Sequence, residues 1–125
     1  MPVQNMTQSD FKTKVFDFTK GGPWNFQGDR PAIIDFYATW CGPCKRLAPV
    51  LDELAAEFDG QIDIYKVDTD QEQELAAMFE IRSVPSILFI PKEGSPQMAA
   101  GALPKEVFYE AIGDLFKLAH LSGGR

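Results

Sequence analysis

Only two cysteines and a single histidine occur in this 125-residue chain. A structural zinc site takes about four such ligands, so Cys41 and Cys44 joined by a lone His120 do not make one, and no metal is expected. His120 lies far along the chain from both cysteines, at the end of the last helical pattern, which excludes a Cys/His nucleophilic pair and leaves a solvated helix-end residue. No basic run or basic helix is present, and the net charge is −6 with a pI near 4.7. Nucleic-acid binding through phosphate neutralisation is therefore excluded. No stretch approaches the roughly 18 apolar residues that a membrane span requires. The opening Met1-Pro2-Val3-Gln4-Asn5-Met6 has neither a basic nor an apolar leader region, so a cytoplasmic protein is expected; a mature exported form that had lost its leader would read the same way. No internal repeat or low-complexity tract interrupts the chain.

What is present suits one domain over residues 1–125, large enough to bury roughly two-thirds of the surface its unfolded chain exposes. Hydrophobic residues make up 45% and include 10 phenylalanines, which supply bulky core material without suggesting disorder. Ser9 is a candidate N-cap for a short helix carrying Phe11 and Val15. A loop bracketed by Gly21-Gly22-Pro23 and Gly28-Asp29-Arg30-Pro31 follows, with Trp24 and Phe26 read as packing residues. Ala32 to Tyr37 is a nearly continuous apolar run, the pattern of a strand covered on both faces, broken only by Asp35. From Pro43 onward, Leu47, Val50, Leu51, Leu54, Ala55 and Phe58 recur at helical spacing as far as Asp59-Gly60, with Pro49 inside the pattern.

Strand Ile62 to Val67 comes next. Asp70 with Gln73 then forms a capping-box-like pair before Leu75, Met78 and Phe79, giving a βαβ crossover with the neighbouring strands. Ser86 to Ile90 and Gln97 to Ala100 read as a hairpin around Lys92-Glu93-Gly94-Ser95. Pro104 opens a last helix with Val107, Phe108, Ala111, Ile112, Leu115, Phe116 and Ala119 on one face. The expected order is α-β-α-β-α-β-β-α, with a weak strand in the first residues. The fold class is α/β: a central mixed β-sheet with three crossover-connected strands, a terminal hairpin and helices on both faces.

Both cysteines fall in Trp40-Cys41-Gly42-Pro43-Cys44, where the buried strand gives way to a helix. Two cysteines separated by two residues close a very small ring. So short a loop stabilises weakly, and the pair reads as a dithiol that cycles. The helix start favours the Cys41 thiolate through unsatisfied N–H groups and the helix dipole, which makes Cys41 the exposed nucleophile. Cys44, almost one turn deeper, is expected to be shielded and to resolve the mixed disulfide. A lone carboxylate in a buried strand has its charged form disfavoured, so Asp35 is a candidate proton acceptor for Cys44. Trp40 offers a large apolar platform beside the nucleophile.

From about Arg30 to Phe116 the chain resembles the thioredoxin family. Trp40-Cys41-Gly42-Pro43-Cys44-Lys45 is similar to its active-site motif, Asp35 falls at its buried acid, and Lys66 falls at its strand lysine. Val84-Pro85-Ser86 falls at its cis-proline turn, Gly101-Ala102 at the glycine of its substrate-facing loop, and Pro49 at its helix-kinking proline. Residues 1–29 resemble the family poorly and are set apart as a divergent helix and loop. Residues 30–119 form the core of the resemblance and 120–125 a tail.

The resemblance implies a thioredoxin-like fold and a thiol-disulfide oxidoreductase that reduces protein disulfides through Cys41 and Cys44. It implies that Lys66 tunes Asp35, although a lysine on a strand reads equally well as a snorkelling residue. It also implies a substrate surface of Trp40, Gly42, Pro43, Val84, Pro85 and Gly101, in which a cis Pro85 turns the Val84 backbone towards an extended substrate. Gly101 by itself reads equally as a plain turn glycine. The Gly42-Pro43 pair resembles the reducing branch of the family. The expected partners are disulfide-containing proteins and a separate reductase as electron donor, with no bound cofactor and a monomeric chain. The alternatives are an exported oxidase or isomerase of the same fold and a non-catalytic adaptor.

Overall fold

A mixed sheet is built from Gln4–Asn5 (β1), Ala32–Tyr37 (β2), Asp63–Asp68 (β3), Ser86–Ile90 (β4) and Gln97–Ala100 (β5), in the spatial order β1-β3-β2-β4-β5. The computed structural model describes residues 2–119. Helices Gln8–Lys14 (α1), Gly42–Glu57 (α2), Gln73–Met78 (α3) and Lys105–Phe116 (α4) cover the sheet, with a 3-10 turn at Phe18–Lys20. The weak first strand is β1, which pairs in parallel with β3. The expected thioredoxin-like sheet with helices on both faces is the one observed.

Strand alternation divides the core in two, because successive side chains of a strand point to opposite faces. Ile33, Ile64, Ile87 and Phe89 pack against α2 and α4 through Leu47, Leu51, Leu54, Phe108 and Ile112. Ile34, Phe36, Val67 and Leu88 pack instead against α1 and α3 through Phe11 and Leu75. Trp24 and Phe26 join that second core, as the sequence suggested. Within β2, Asp35 shares the face of Ile33 and so points to the layer containing α2.

Four local expectations need correction. The N-cap of α1 is Thr7, not Ser9: the Thr7 hydroxyl accepts from Asp10 N–H and the Asp10 carboxylate accepts from Thr7 N–H, each at 3.1 Å, a complete capping box. Asp70 does not cap α3. The carbonyl of Asp68 accepts from Gln71 and Glu72 N–H and closes a turn first, so that α3 starts later, with Glu72 at its N-cap and no side-chain cap. The crossover through α3 does not return a parallel strand either, since β4 runs antiparallel to β2. An apolar run carries no direction, and α3 returns the chain to the sheet the opposite way. Finally, α4 ends at Phe116 because Lys117 adopts a left-handed conformation with φ 60°, leaving Ala119 exposed beyond the helix. His120 and the tail lie outside the described residues.

Smaller differences are shifts of one or two residues. Strand β3 runs one residue later than expected, and α2 stops at Glu57 with Phe58 at its C-cap. Pro49 sits inside α2 on its exposed side, where it withholds one N–H from the helix ladder.

Candidate active site

The end of β2 delivers the chain into Trp40-Cys41, and Cys41 becomes the N-cap of α2 with extended backbone angles. Gly42 and Pro43 occupy the exposed first turn, where a proline's missing N–H costs nothing. Cys44 then lies under the first turn. Cys41 and Cys44 stand as a disulfide with Cα atoms 5.3 Å apart, ordinary reach for such a bond. The sulfur of Cys41 accepts a hydrogen bond from the Cys44 backbone N–H at 3.1 Å. That same N–H faces the charge when Cys41 is a thiolate, so the helix start supplies the donor the chemistry calls for.

Exposure of Cys41 differs from expectation. In the disulfide Cys41 is 3% exposed and Cys44 5%, so neither is the more open. The N-cap geometry folds the Cys41 sulfur back over the helix turn, and the Val84 carbonyl oxygen lies 3.6 Å from it. What faces solvent around the pair is Trp40, at 70% exposure, together with Gly42 and Pro43.

The Val84-Pro85 bond is cis, and Pro85 is buried beside the dithiol turn. Gly101 is brought to the same place: its N–H donates to the Pro85 carbonyl at 2.8 Å, and its φ of 99° is one that a side chain rarely tolerates. The Trp40 indole N–H donates to the Asp70 carboxylate at 2.9 Å. Between Trp40 and Val84 a shallow groove of about 380 Å³ runs towards α3, past Gln73, Ala77 and Arg82.

On the other side of Cys44 lies a cleft of about 360 Å³ whose lining includes Asp35, Tyr37, Cys44, Lys45 and Lys66. Asp35 is 4% exposed, and its Oδ1 is buried without a hydrogen-bond partner. Burial pushes its carboxyl up to about 7, while the positive charge of Lys66 pulls the other way. Lys66 is the register partner of Asp35 on β3, yet no ion pair joins them among the described residues. Instead the Lys66 ammonium sits 5.6 Å from the centroid of the Tyr37 ring.

The residues read from the sequence as catalytic or substrate-binding thus fall in two adjoining places around the dithiol. Trp40, Gly42, Pro43, Val84, Pro85 and Gly101 surround the outer side of the dithiol, and Asp35 and Lys66 line its inner side. Two contributors were missed. Asp70 reads from the sequence as a helix cap, and nothing in its spacing announces a contact with Trp40. Tyr37 reads only as a strand end, although its two-residue spacing from Asp35 places it on the same face. No group of three or more His, Cys, Asp or Glu placed to hold a metal ion occurs among the described residues.

Comparison with known proteins agrees with this geometry. The family model for thioredoxin matches residues 2–114. A thioredoxin of Borreliella burgdorferi is 48% identical over 112 residues, covering 90% of this chain and 96% of that one. A thioredoxin of Staphylococcus epidermidis is 39% identical over 90% of this chain and 96% of its own. Among solved structures, chloroplastic thioredoxin z superposes with a TM-score of 0.77 at 30% identity, covering 92% of this chain and 95% of that one. With a CxxC pair at disulfide distance, these relatives support dithiol-disulfide exchange and favour neither an oxidase or isomerase nor an adaptor. The chain is a protein-disulfide reductase and belongs to the thioredoxin family.

Proposed function

We propose that the residues divide the reduction as follows. Cys41, as thiolate, attacks one sulfur of a substrate disulfide and releases the other as a substrate thiolate, leaving a mixed disulfide. Asp35 takes the proton of Cys44. The Cys44 thiolate then attacks the Cys41 sulfur, the second substrate thiolate leaves, and the pair ends as the Cys41–Cys44 disulfide. Two electrons have passed to the substrate, and a separate reductase returns the pair to the dithiol.

The observation that carries this reading is the shared cleft: a buried Asp35 carboxyl, raised to about 7, lines the same space as Cys44. A base is most useful when its pKa lies near the working pH. Lys66 limits the rise by favouring the charged carboxylate. On the outer side, Trp40, Gly42, Pro43, Val84, Pro85 and Gly101 form the surface on which an extended substrate segment lies, with the Val84 backbone offered for strand-like pairing.

We further assign the chain to the cytoplasm, where thiols are kept reduced, and read it as a single domain that works as a monomer. No described helix is long and apolar enough to cross a membrane. The monomer reading is supported by the scarcity of exposed large apolar residues, Trp40 and Met98 among the described ones, with Trp40 already assigned to substrate.

The test is Asp35→Asn, with the rate of mixed-disulfide resolution measured against pH. Resolution should slow roughly a hundredfold or more at neutral pH and lose its inflection near 7, in line with the usual size of general-base effects. An unchanged profile would remove Asp35 from the reaction.

A further inference from the structure

We propose that Tyr37 is a positioning residue for Asp35: its ring holds the Lys66 ammonium on the ring's own face and away from the Asp35 carboxylate. The inference rests on the reading of Asp35 as the base for Cys44, and it adds a residue that sets how that base is tuned.

Three placements carry it. Asp35 and Tyr37 are two apart on β2, so both side chains point to the layer containing α2. Lys66 is the register partner of Asp35, and its ammonium lies 5.6 Å from the centroid of the Tyr37 ring. Asp35, Tyr37 and Lys66 line one cleft with Cys44, while Asp35 keeps a buried oxygen without a partner. A lysine so near an unpaired carboxylate in a partly desolvated space would ordinarily close an ion pair. Here the aromatic face competes for the ammonium, and an ammonium within about 6 Å of a ring centroid is in attractive range.

Other charges around Asp35 are few. Lys45 reaches the cleft from α2, and Asp68 follows Lys66 by two on β3, while the β4 partner of Asp35 is the apolar Ile87. Lys66 and Tyr37 also border a second hollow of about 210 Å³ with Asp68 and Glu72. Released from the ring, the ammonium goes to Asp35 and not to that outer pair, because its attraction to a buried carboxylate is screened least. The Tyr37 hydroxyl stays neutral, held above its ordinary range first by burial and then by the Asp68 and Asp35 carboxylates. The ring, and not the phenol proton, is therefore the working part.

The experiment follows the Asp35 carboxyl by carbon NMR against pH in the oxidised protein, where neither cysteine titrates. Tyr37→Leu should lower the Asp35 midpoint by about half a pH unit, the size of a modest cation–π contact expressed as a pKa shift. Tyr37→Phe should leave the midpoint in place. In a Lys66→Met background, Tyr37→Leu should cause no shift. An unchanged or raised midpoint with Lys66 present, or an equal downward shift with and without Lys66, overturns the proposal, the last by showing that the ring acts through solvent access alone. Should Tyr37→Leu fail to fold, the Lys66 ε-methylene protons of the unsubstituted protein provide the reading: ring-current displacement upfield is expected, and ordinary shifts overturn the proposal. None of these readings depends on whether Asp35 takes a proton from Cys44. Failure of the base assignment would show instead in the resolution rate of Asp35→Asn.

Discussion

The indole N–H of Trp40 donates to the carboxylate of Asp70 at 2.9 Å, tying the most exposed large apolar side chain of the described structure to the turn after β3. A ring that is 70% exposed would otherwise sample several rotamers. Anchored, it forms one wall of the groove beside the dithiol, and on the substrate surface proposed above it would not have to be ordered anew at each binding event.

Removal of this anchor should therefore be felt by large substrates. Asp70→Ala is expected to lower kcat/KM for a protein disulfide by roughly two- to fivefold, the equivalent of one modest hydrogen bond. Reduction of a small-molecule disulfide, which does not span the groove, should change little. In a Trp24→Phe background Trp40 is the sole tryptophan, and its fluorescence anisotropy should fall on the same substitution. Unchanged anisotropy would show that the bond does not hold the ring.

The two cysteines should fail in different ways. Cys41→Ser removes the thiolate at the helix N-cap and should abolish reduction of insulin followed by turbidity. Cys44→Ser leaves the attacking thiolate intact but takes away the second thiol, so mixed disulfides with substrates should accumulate and be visible on non-reducing gels. Residual activity in the first variant, or no adducts in the second, would reverse or remove the assigned order.

What could be read from the chain, and what could not, follows from how local each signal is. The dithiol needed only its own spacing, and Asp35 needed only to interrupt an apolar strand. Helix α2 and the β4–β5 hairpin were equally local. The direction of β4 was not, because hydrophobicity has no polarity and the return through α3 sets it. The start of α3 was misplaced because Asp68 ties the turn through its carbonyl, with its side chain also accepting from Asp70 N–H at 2.9 Å, a choice that competes with Asp70 as a cap. The Trp40–Asp70 bond joins residues thirty apart across two strands and could not be found by spacing. Tyr37 was within reach, since period-two alternation already put it beside Asp35; the apolar reading of its strand obscured that.

Gly101 offers a test of backbone rather than side-chain demand. Its φ is 99°, and a Cβ built there meets nothing within 4 Å, so the cost of Gly101→Ala is conformational and not steric. A penalty of about 1–2 kcal/mol is expected, lowering Tm by about 4–8 °C. Because its N–H holds the Pro85 carbonyl, KM for protein substrates should rise with it. Gly42→Ala is the comparison: a Cβ there lies 3.6 Å from the Arg46 guanidinium, an ordinary contact on a helical backbone, and stability should hold or improve slightly. Equal losses at both glycines would remove the conformational explanation for Gly101.

Stability should also record the burial of Asp35, with a defined sign. Its carboxyl has an ordinary value of 3.8 in the unfolded chain and about 7 in the fold, so between those values the unfolded state ionises while the folded state holds its proton. The neutral carboxyl's contribution is thus fully present below pH 3.8 and is lost as pH rises through 7. Above pH 7 the folded protein carries a buried carboxylate that only the charge of Lys66 offsets. Asp35→Asn keeps the shape but cannot ionise, and should be more stable than the parent by an amount that grows between pH 4 and 7 and then levels off. The linkage relation puts the plateau at about 4 kcal/mol of added stability relative to the acid limit. Urea denaturation of both proteins across this range measures the difference directly, since titrations common to the two cancel. A gap that does not vary with pH would mean that Asp35 titrates alike in both states, and its raised pKa would have to be abandoned together with its fitness as a base at neutral pH.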